Sequence, residues 1–173
     1  AQSWVKSGLA DMAGQMRGDL SLDELAQRTV GYLSRYTDAQ FGAMYSFRAE
    51  DQSLTLAGSF AYELREDIPR KFVLGESLIG QVALDRKSIV VANLPQAYAR
   101  VSSGSGKSVP AHAIVLPLLY EDQLKGVLEF ARVREFDSIA LQFLQLAAEA
   151  IGVALHTAEV STHTRRLLLE TQK

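Results

Sequence analysis

The chain has 173 residues, 47% of them hydrophobic and 22% charged, with a formal net charge of −2. That is the balance of one globular domain able to bury a core, or one domain with attached helices. Near-neutral charge gives no electrostatic case for a nucleic acid or an anionic membrane as partner. The longest uninterrupted apolar run, 113–120, is too short to cross a bilayer, so no membrane insertion of this segment is expected. There is no cysteine, which excludes disulfide scaffolds, thiolate zinc sites, cysteine nucleophiles and thioether-linked chromophores. The three histidines, at 112, 156 and 163, have no metal-ligand spacing, so no metal site is expected.

In chain order, Val5, Leu9, Met12 and Met16 recur at spacings of four, three and four, a short coiled-coil-like seam on a first helix. Ser21 and Glu24 form a capping-box pattern that starts a second helix, whose Leu22, Leu25, Ala26, Thr29, Val30 and Leu33 share a face. The period then changes. Residues 41–47 and 53–62 are rich in aromatic and β-favouring types and read as an antiparallel hairpin turned through 48–52. Residues 75–87 predict a short helix capped by Ser77, with Leu78, Ile79 and Val82 turned inward. Residues 88–92, 112–120 and 124–133 predict three further strands, the last two joined through 121–123. Asp137 caps a long closing helix, with Phe136 placed to staple against Leu141. Its apolar positions 139, 143, 146, 147, 150, 151, 154 and 155 predict a broad buried face. Beyond them Ala158, Thr162, Arg165 and Leu169 keep heptad spacing in a mostly polar stretch. A helix of that kind needs a partner copy or a further module to be stable. The order predicts an α+β layout, a mainly antiparallel five-stranded sheet framed by helices from both ends of the chain.

Between the third and fourth strands the sequence VSSGSGKS, 101–108, imitates a phosphate-binding loop. The imitation fails on two counts. Val101 stands where the loop requires glycine, and Pro110 and a strand follow where a helix must carry the amides to the anion. A second near miss, GESLIGQV at 75–82, has the glycine spacing but Gln81-Val82 in place of Lys and Ser/Thr.

The runs FVLGESLIGQVALDRKSIVVANLP (72–95), AIVLPLLYEDQLKGVLEFA (113–131) and FDSIALQFLQLAAEAIGVAL (136–155) resemble GAF domains, over about residues 22–158. The strongest single mark is Leu116-Pro117-Leu118 followed by Lys125-Gly126-Val127. More narrowly, the segments around 4–18, 33–45, 102–118 and 164–172 are similar to the GAF module of bacterial hybrid sensor histidine kinases. There the module lies between a HAMP segment and the kinase core. The resemblance implies a GAF/PAS-like fold with a five- or six-stranded antiparallel sheet. It places the N- and C-terminal helices on one face in a parallel dimer bundle, and a ligand pocket on the other face. It divides the chain into a signalling helix over 1–20, the GAF domain over 21–158 and a second signalling helix over 159–173. It also implies a cytoplasmic module of a membrane-anchored kinase, with HAMP and kinase modules as partners in the same chain.

Departures from the family pattern narrow the chemistry. The Asn-Lys-Phe-Asp-Glu signature of cyclic-nucleotide-binding relatives is not found, since Phe136-Asp137 lacks the upstream Asn-Lys. Bilin-binding and methionine-sulfoxide-reducing relatives need cysteine. Haem would need an axial histidine, for which His112 is the candidate near the sheet, without ligation context. No cofactor and no catalytic residue are expected, so the isolated domain is read as noncatalytic.

A small ligand nonetheless has candidate contacts. The irregular stretch 93–111 is long for a compact domain and reads either as a binding segment or as a surface loop. In it Tyr98, Arg100, Ser102 and Ser103 could close over a polar ligand, with the amides of Gly104 and Gly106 open to an anion. Phe60, Tyr62 and Phe72 are read as one pocket wall or as plain core. Gln81 and Glu76 flank the helix that roofs the pocket in relatives. Glu129 lies in an otherwise apolar strand and either points to solvent, the commoner outcome, or meets a ligand or cation. Val5, Leu9, Met12 and Met16, with Ile151, Leu155 and Ala158, are expected to pack against their copies in a homodimer, intrachain packing being the alternative. The expected function is sensory relay: a pocket event or an upstream movement repacks the terminal helices. A ligand-free spacer that only transmits movement is the rival.

Overall fold

The computed structural model of the chain describes residues 1–61, 70–94 and 110–172. The elements are α1 (Gln2–Gln15), α2 (Leu22–Tyr36), β1 (Phe41–Arg48), β2 (Ser53–Phe60), β3 (Lys71–Val73), α3 (Ser77–Asp85), β4 (Ile89–Val91), β5 (His112–Tyr120), β6 (Gln123–Arg132) and α4 (Ser138–Thr171). The strands form one six-stranded sheet in the order β3-β2-β1-β6-β5-β4, with every neighbouring pair antiparallel. The sheet has one strand more than the residue pattern predicts, because β3 is three residues long and too short to show a period.

Local chemistry sets the boundaries. At α2 the Ser21 hydroxyl accepts from the Glu24 amide at 3.2 Å and the Glu24 carboxylate accepts from the Ser21 amide at 3.4 Å. At α4 the Asp137 carboxylate accepts from the Ala140 amide at 2.9 Å. The α3 start differs from expectation. Its N-cap is Glu76, which makes no side-chain cap bond, and Ser77 sits inside the helix start with φ 60°. The entry is held by backbone instead: Gly75 N–H donates to Gly80 C=O at 2.8 Å, and Gly80 N–H to Glu76 C=O at 2.9 Å. Gly75 has φ 83°, a conformation glycine adopts without strain. Between β5 and β6, Tyr120 pairs with Gln123 across Glu121 and Asp122, both left-handed, the geometry of a tight hairpin turn.

Helices α1, α2 and α4 cover one face of the sheet and α3 the other. The larger core lies under the three helices, with Met44, Ile114, Leu116, Leu128 and Phe130 from the sheet meeting Val30, Leu33, Phe143 and Ile151. Aromatic packing pins α1 to its neighbours. Trp4 stacks on Tyr36 at 4.7 Å, both rings meet Phe143, and the Tyr36 hydroxyl donates to the Trp4 carbonyl at 2.6 Å. Arg132 closes the β6–α4 corner. Its buried guanidinium donates to the carbonyls of Thr37, Arg134 and Glu135 and lies over the Phe136 ring at 4.4 Å.

This packing corrects the expected dimer seam. Val5, Met12, Ile151 and Leu155 are each at most 5% exposed within the single chain, while Leu9, Met16 and Ala158 are partly buried. The apolar face of α1 is consumed by α2 and α4, which was the intrachain alternative. Farther along, Ala158, Thr162 and Arg165 line grooves between α4 and the body, Arg165 pairs with Asp19 at 2.6 Å, and Leu169 is 65% exposed. By length and mean hydropathy (1.6) α4 could cross a membrane, but 44% of that stretch is buried in the protein's own fold, as in a core helix.

Candidate functional site

The sheet face beneath α3 carries the second core, built from Phe41, Ala43, Tyr45, Ala113, Val115, Val127 and Ala131 against Ile79, Val82 and Ala83 of α3. Strand alternation decides which side each residue serves. Along β6, Leu128 and Phe130 enter the helical core, while Val127 and Ala131 enter the α3 core. Glu129 is in phase with the second pair. Its cross-strand neighbours are Ala43 on β1 and Val115 on β5. A carboxyl group therefore stands mid-sheet in an apolar layer, with a small side chain on one side of it.

Glu129 is 6% exposed. Among the described residues no hydrogen bond or ion pair reaches its carboxyl, and burial alone pushes its pKa up to about 8 from 4.5. The expectation that it points to solvent is corrected. Both faces of the central strands are covered, so an in-phase polar residue has no wet side to take. Such a group is costly as a lone charge and becomes favourable when a donor or cation meets it. Perturbed carboxyls of this kind mark binding sites more often than chance.

The structure separates the other expected contacts. Phe72 lies on the same face as Glu129: it pairs with Leu54 across the strands and meets Tyr45 edge-on at 5.5 Å. Gln81 is on α3 and donates through its side-chain amide to Asp85 at 2.8 Å, along the helix. Phe60 is corrected: it packs on the helical core with the Arg35 guanidinium 6.0 Å from its ring, so it shares no wall with Phe72. His112 is corrected as well. It pairs with Arg132 and alternates in phase with Ile114, which puts it on the helical side of the sheet. Tyr62, Tyr98, Arg100, Ser102 and Ser103, with Gly104, Gly106 and the VSSGSGKS stretch, lie outside the described residues. Among the described residues no group of three or more His, Asp or Glu could hold a metal ion. The residues that sequence reasoning missed are Ala43 and Val115. The available signal was small residues in phase on neighbouring strands, but their register with Glu129 is a tertiary fact.

A family model described as "GAF domain" matches residues 19–156. Solved structures are similar over nearly the whole chain. The GAF domain of a phosphoenolpyruvate-protein phosphotransferase from Acinetobacter has a TM-score of 0.74 at 15% identity, covering 92% of this chain and 97% of that one. The A. aeolicus nlh2 GAF domain in an inactive state has a TM-score of 0.68 at 20% identity, covering 93% and 98%. Free methionine-R-sulfoxide reductase from Neisseria meningitidis, in complex with its substrate, has a TM-score of 0.67 at 14% identity, covering 91% and 89%. At these identities the likeness is one of fold. No curated protein matches the chain.

Proposed function

The chain belongs to the GAF domain family, and we propose that it is a noncatalytic sensory module that binds a small molecule on the α3 face of its sheet. The observation that carries this reading is Glu129, a nearly buried carboxyl without a partner among the described residues. Its chemistry favours a ligand that presents an ammonium, a guanidinium or paired N–H donors, because these stabilise the ionised form that burial disfavours. The chain contains no cysteine to serve the redox chemistry known on this fold, which supports the noncatalytic reading.

Coupling to the helices runs through β5. Val115 adjoins Glu129 on one side of that strand, while Ile114, Leu116 and Leu118 pack into the core shared with α4 on the other. A ligand that shifts Val115 shifts the bed on which α4 lies. We further propose that the module works as a homodimer in the cytoplasmic part of a membrane-anchored sensor histidine kinase, between a HAMP segment and the kinase core. The segment resemblances at 4–18, 102–118 and 164–172 support that setting. One observation favours a ligand-free spacer instead: the Trp4, Tyr36 and Phe143 cluster ties α1 directly to α4, and movement could pass between them without a pocket.

Thermal unfolding separates the two. Free amino acids, polyamines and purine bases are screened with the wild type and with Glu129→Gln. A ligand at a hundred times its Kd adds about 2.7 kcal/mol, a rise of several degrees in Tm. At least one class should stabilise the wild type and leave Glu129→Gln unmoved. No shift with any class, or equal shifts in both proteins, would overturn the ligand reading and leave the spacer.

A further inference from the structure

Lys125 stands where β5 and β6 fall out of step. Leu118 pairs with Gly126 and Leu119 with Leu124, so Lys125 is the extra residue of a β-bulge. A bulge re-aims the side chain it carries. Leu124 and Val127 serve the α3 core, whereas Lys125 reaches the helical side and donates to Glu159 of α4 at 2.9 Å. Its side chain is 11% exposed and that of Glu159 66%. An ammonium has three donors, and this bond uses one of them.

The amine lines a cavity of about 520 Å³ between the second half of α4, the α1–α2 connection, the end of β1 and the start of β6. Ser46, in phase with Met44 of the helical core, lies on its sheet side. Leu20 and Leu22 form an apolar wall. The residue pattern places Leu22 on the core face of α2, yet it is 40% exposed, and this cavity is what it borders. From α4 come Ala158, Glu159, His163 and Arg166. Among the described residues neither His163 nor Arg166 makes a side-chain hydrogen bond or an ion pair. Side chains on a helix lean toward its N-terminus. His163 and Arg166, one and two turns past Glu159, therefore lean back toward the Lys125 amine. Arg48 borders the cavity from β1, paired with Glu50 at 3.6 Å. Arg48, Lys125 and Arg166 stand against Glu50 and Glu159, which leaves one positive charge of the lining unbalanced.

We propose that this cavity binds a small organic monocarboxylate, one carboxylate on a hydrocarbon chain or ring. The carboxylate takes the spare N–H donors of Lys125 and the guanidinium fork of Arg166, whose planar geometry matches it. The hydrocarbon lies on Leu20, Leu22 and Ala158. A phosphate dianion would exceed the one unbalanced charge and leave the apolar wall bare. The volume is that of ordinary ligand pockets, roughly 300–1,000 Å³. Such a ligand joins the body, through Lys125, to the stretch of α4 beyond its last buried residue, Leu155. The cavity and Glu129 lie on opposite faces of the sheet, so the two sites stand or fall separately.

Equilibrium dialysis with octanoate and phenylacetate tests the site, with 1-octanol and inorganic phosphate as the uncharged and the purely anionic probes. At least one of the acids should bind the wild type one to one, and at least tenfold more tightly than either control. Arg166→Gln, at an exposed position, and Lys125→Met should each weaken that binding at least tenfold. Glu129→Gln should leave it unchanged, and the unfolding midpoint of Arg166→Gln should match the wild type. Absence of binding by both acids, or equal affinity for 1-octanol or phosphate, overturns the proposal. Binding that Glu129→Gln abolishes and Arg166→Gln spares puts the ligand on the α3 face and overturns it as well. If no acid binds and Arg166→Gln weakens self-association in sedimentation, a second copy fills the cavity and the proposal falls.

Discussion

Glu129 is the residue where sequence and structure give different answers, and its protonation makes the difference measurable. Its pKa is raised from 4.5 to about 8 by burial. Between those values the folded chain keeps a proton that the unfolded chain has released, so folding takes up a proton. Stability from this group is therefore full below about pH 4.5 and is lost as pH rises through about 8. A span of that size is worth on the order of 5 kcal/mol. We expect the urea midpoint of the wild type to fall from pH 5.5 to 8.5, and that of Glu129→Gln to stay nearly level over the same range. Parallel profiles for the two proteins would show the carboxyl to be solvated or paired. The sequence named Glu129 as a lone carboxyl in an apolar strand. It could not choose between solvent and interior, because both faces of that strand are apolar by composition and burial on both sides depends on α3. Phe60 and His112 were misplaced for a related reason: alternation tells which residues share a face, but not which face holds helices.

Element boundaries were largely legible, because caps and turns are local chemistry. The Ser21–Glu24 box and the Asp137 cap formed as their spacing implied. The α3 start did not, since its hydrogen bonds come from the backbone of 73–80 rather than from a capping side chain. The two faces of helix α4 are placed differently. Its inner side meets β5 so closely that a methyl group at Gly152 would be driven into the Leu119 carbonyl. Gly152→Ala gains helix propensity worth about 1 kcal/mol, yet backbone must move to admit it. A net loss of roughly 2 kcal/mol is expected in urea unfolding. A stabilised Gly152→Ala protein would mean that α4 lies farther from β5. The outer side carries Leu146, Val153, Val160 and Leu167, each 36% or more exposed.

For the whole molecule, α1 belongs to the body. Val5 and Met12 are core residues, and the Trp4 cluster reaches α2 and α4. Removing residues 1–20 should therefore cost on the order of 5 kcal/mol, from the burial lost at Val5 and Met12 and the apolar surface exposed on α4. Urea unfolding of the shortened chain checks this; an unchanged midpoint would make α1 an independent appendage. The fold class, the family and the order of elements apart from β3 were legible in the sequence, because capping residues, hydrophobic period and the Leu-Pro-Leu and Lys-Gly-Val runs act over a few residues each. What only the tertiary structure decided was pairing and side. It showed that α1 spends its apolar face inside the chain, and that Glu129 shares a layer with Ala43 and Val115. It also left residues 146, 153, 160 and 167 of α4 exposed. Each of these depends on contacts between segments far apart in the chain, and the period of one segment carries no information about what covers it.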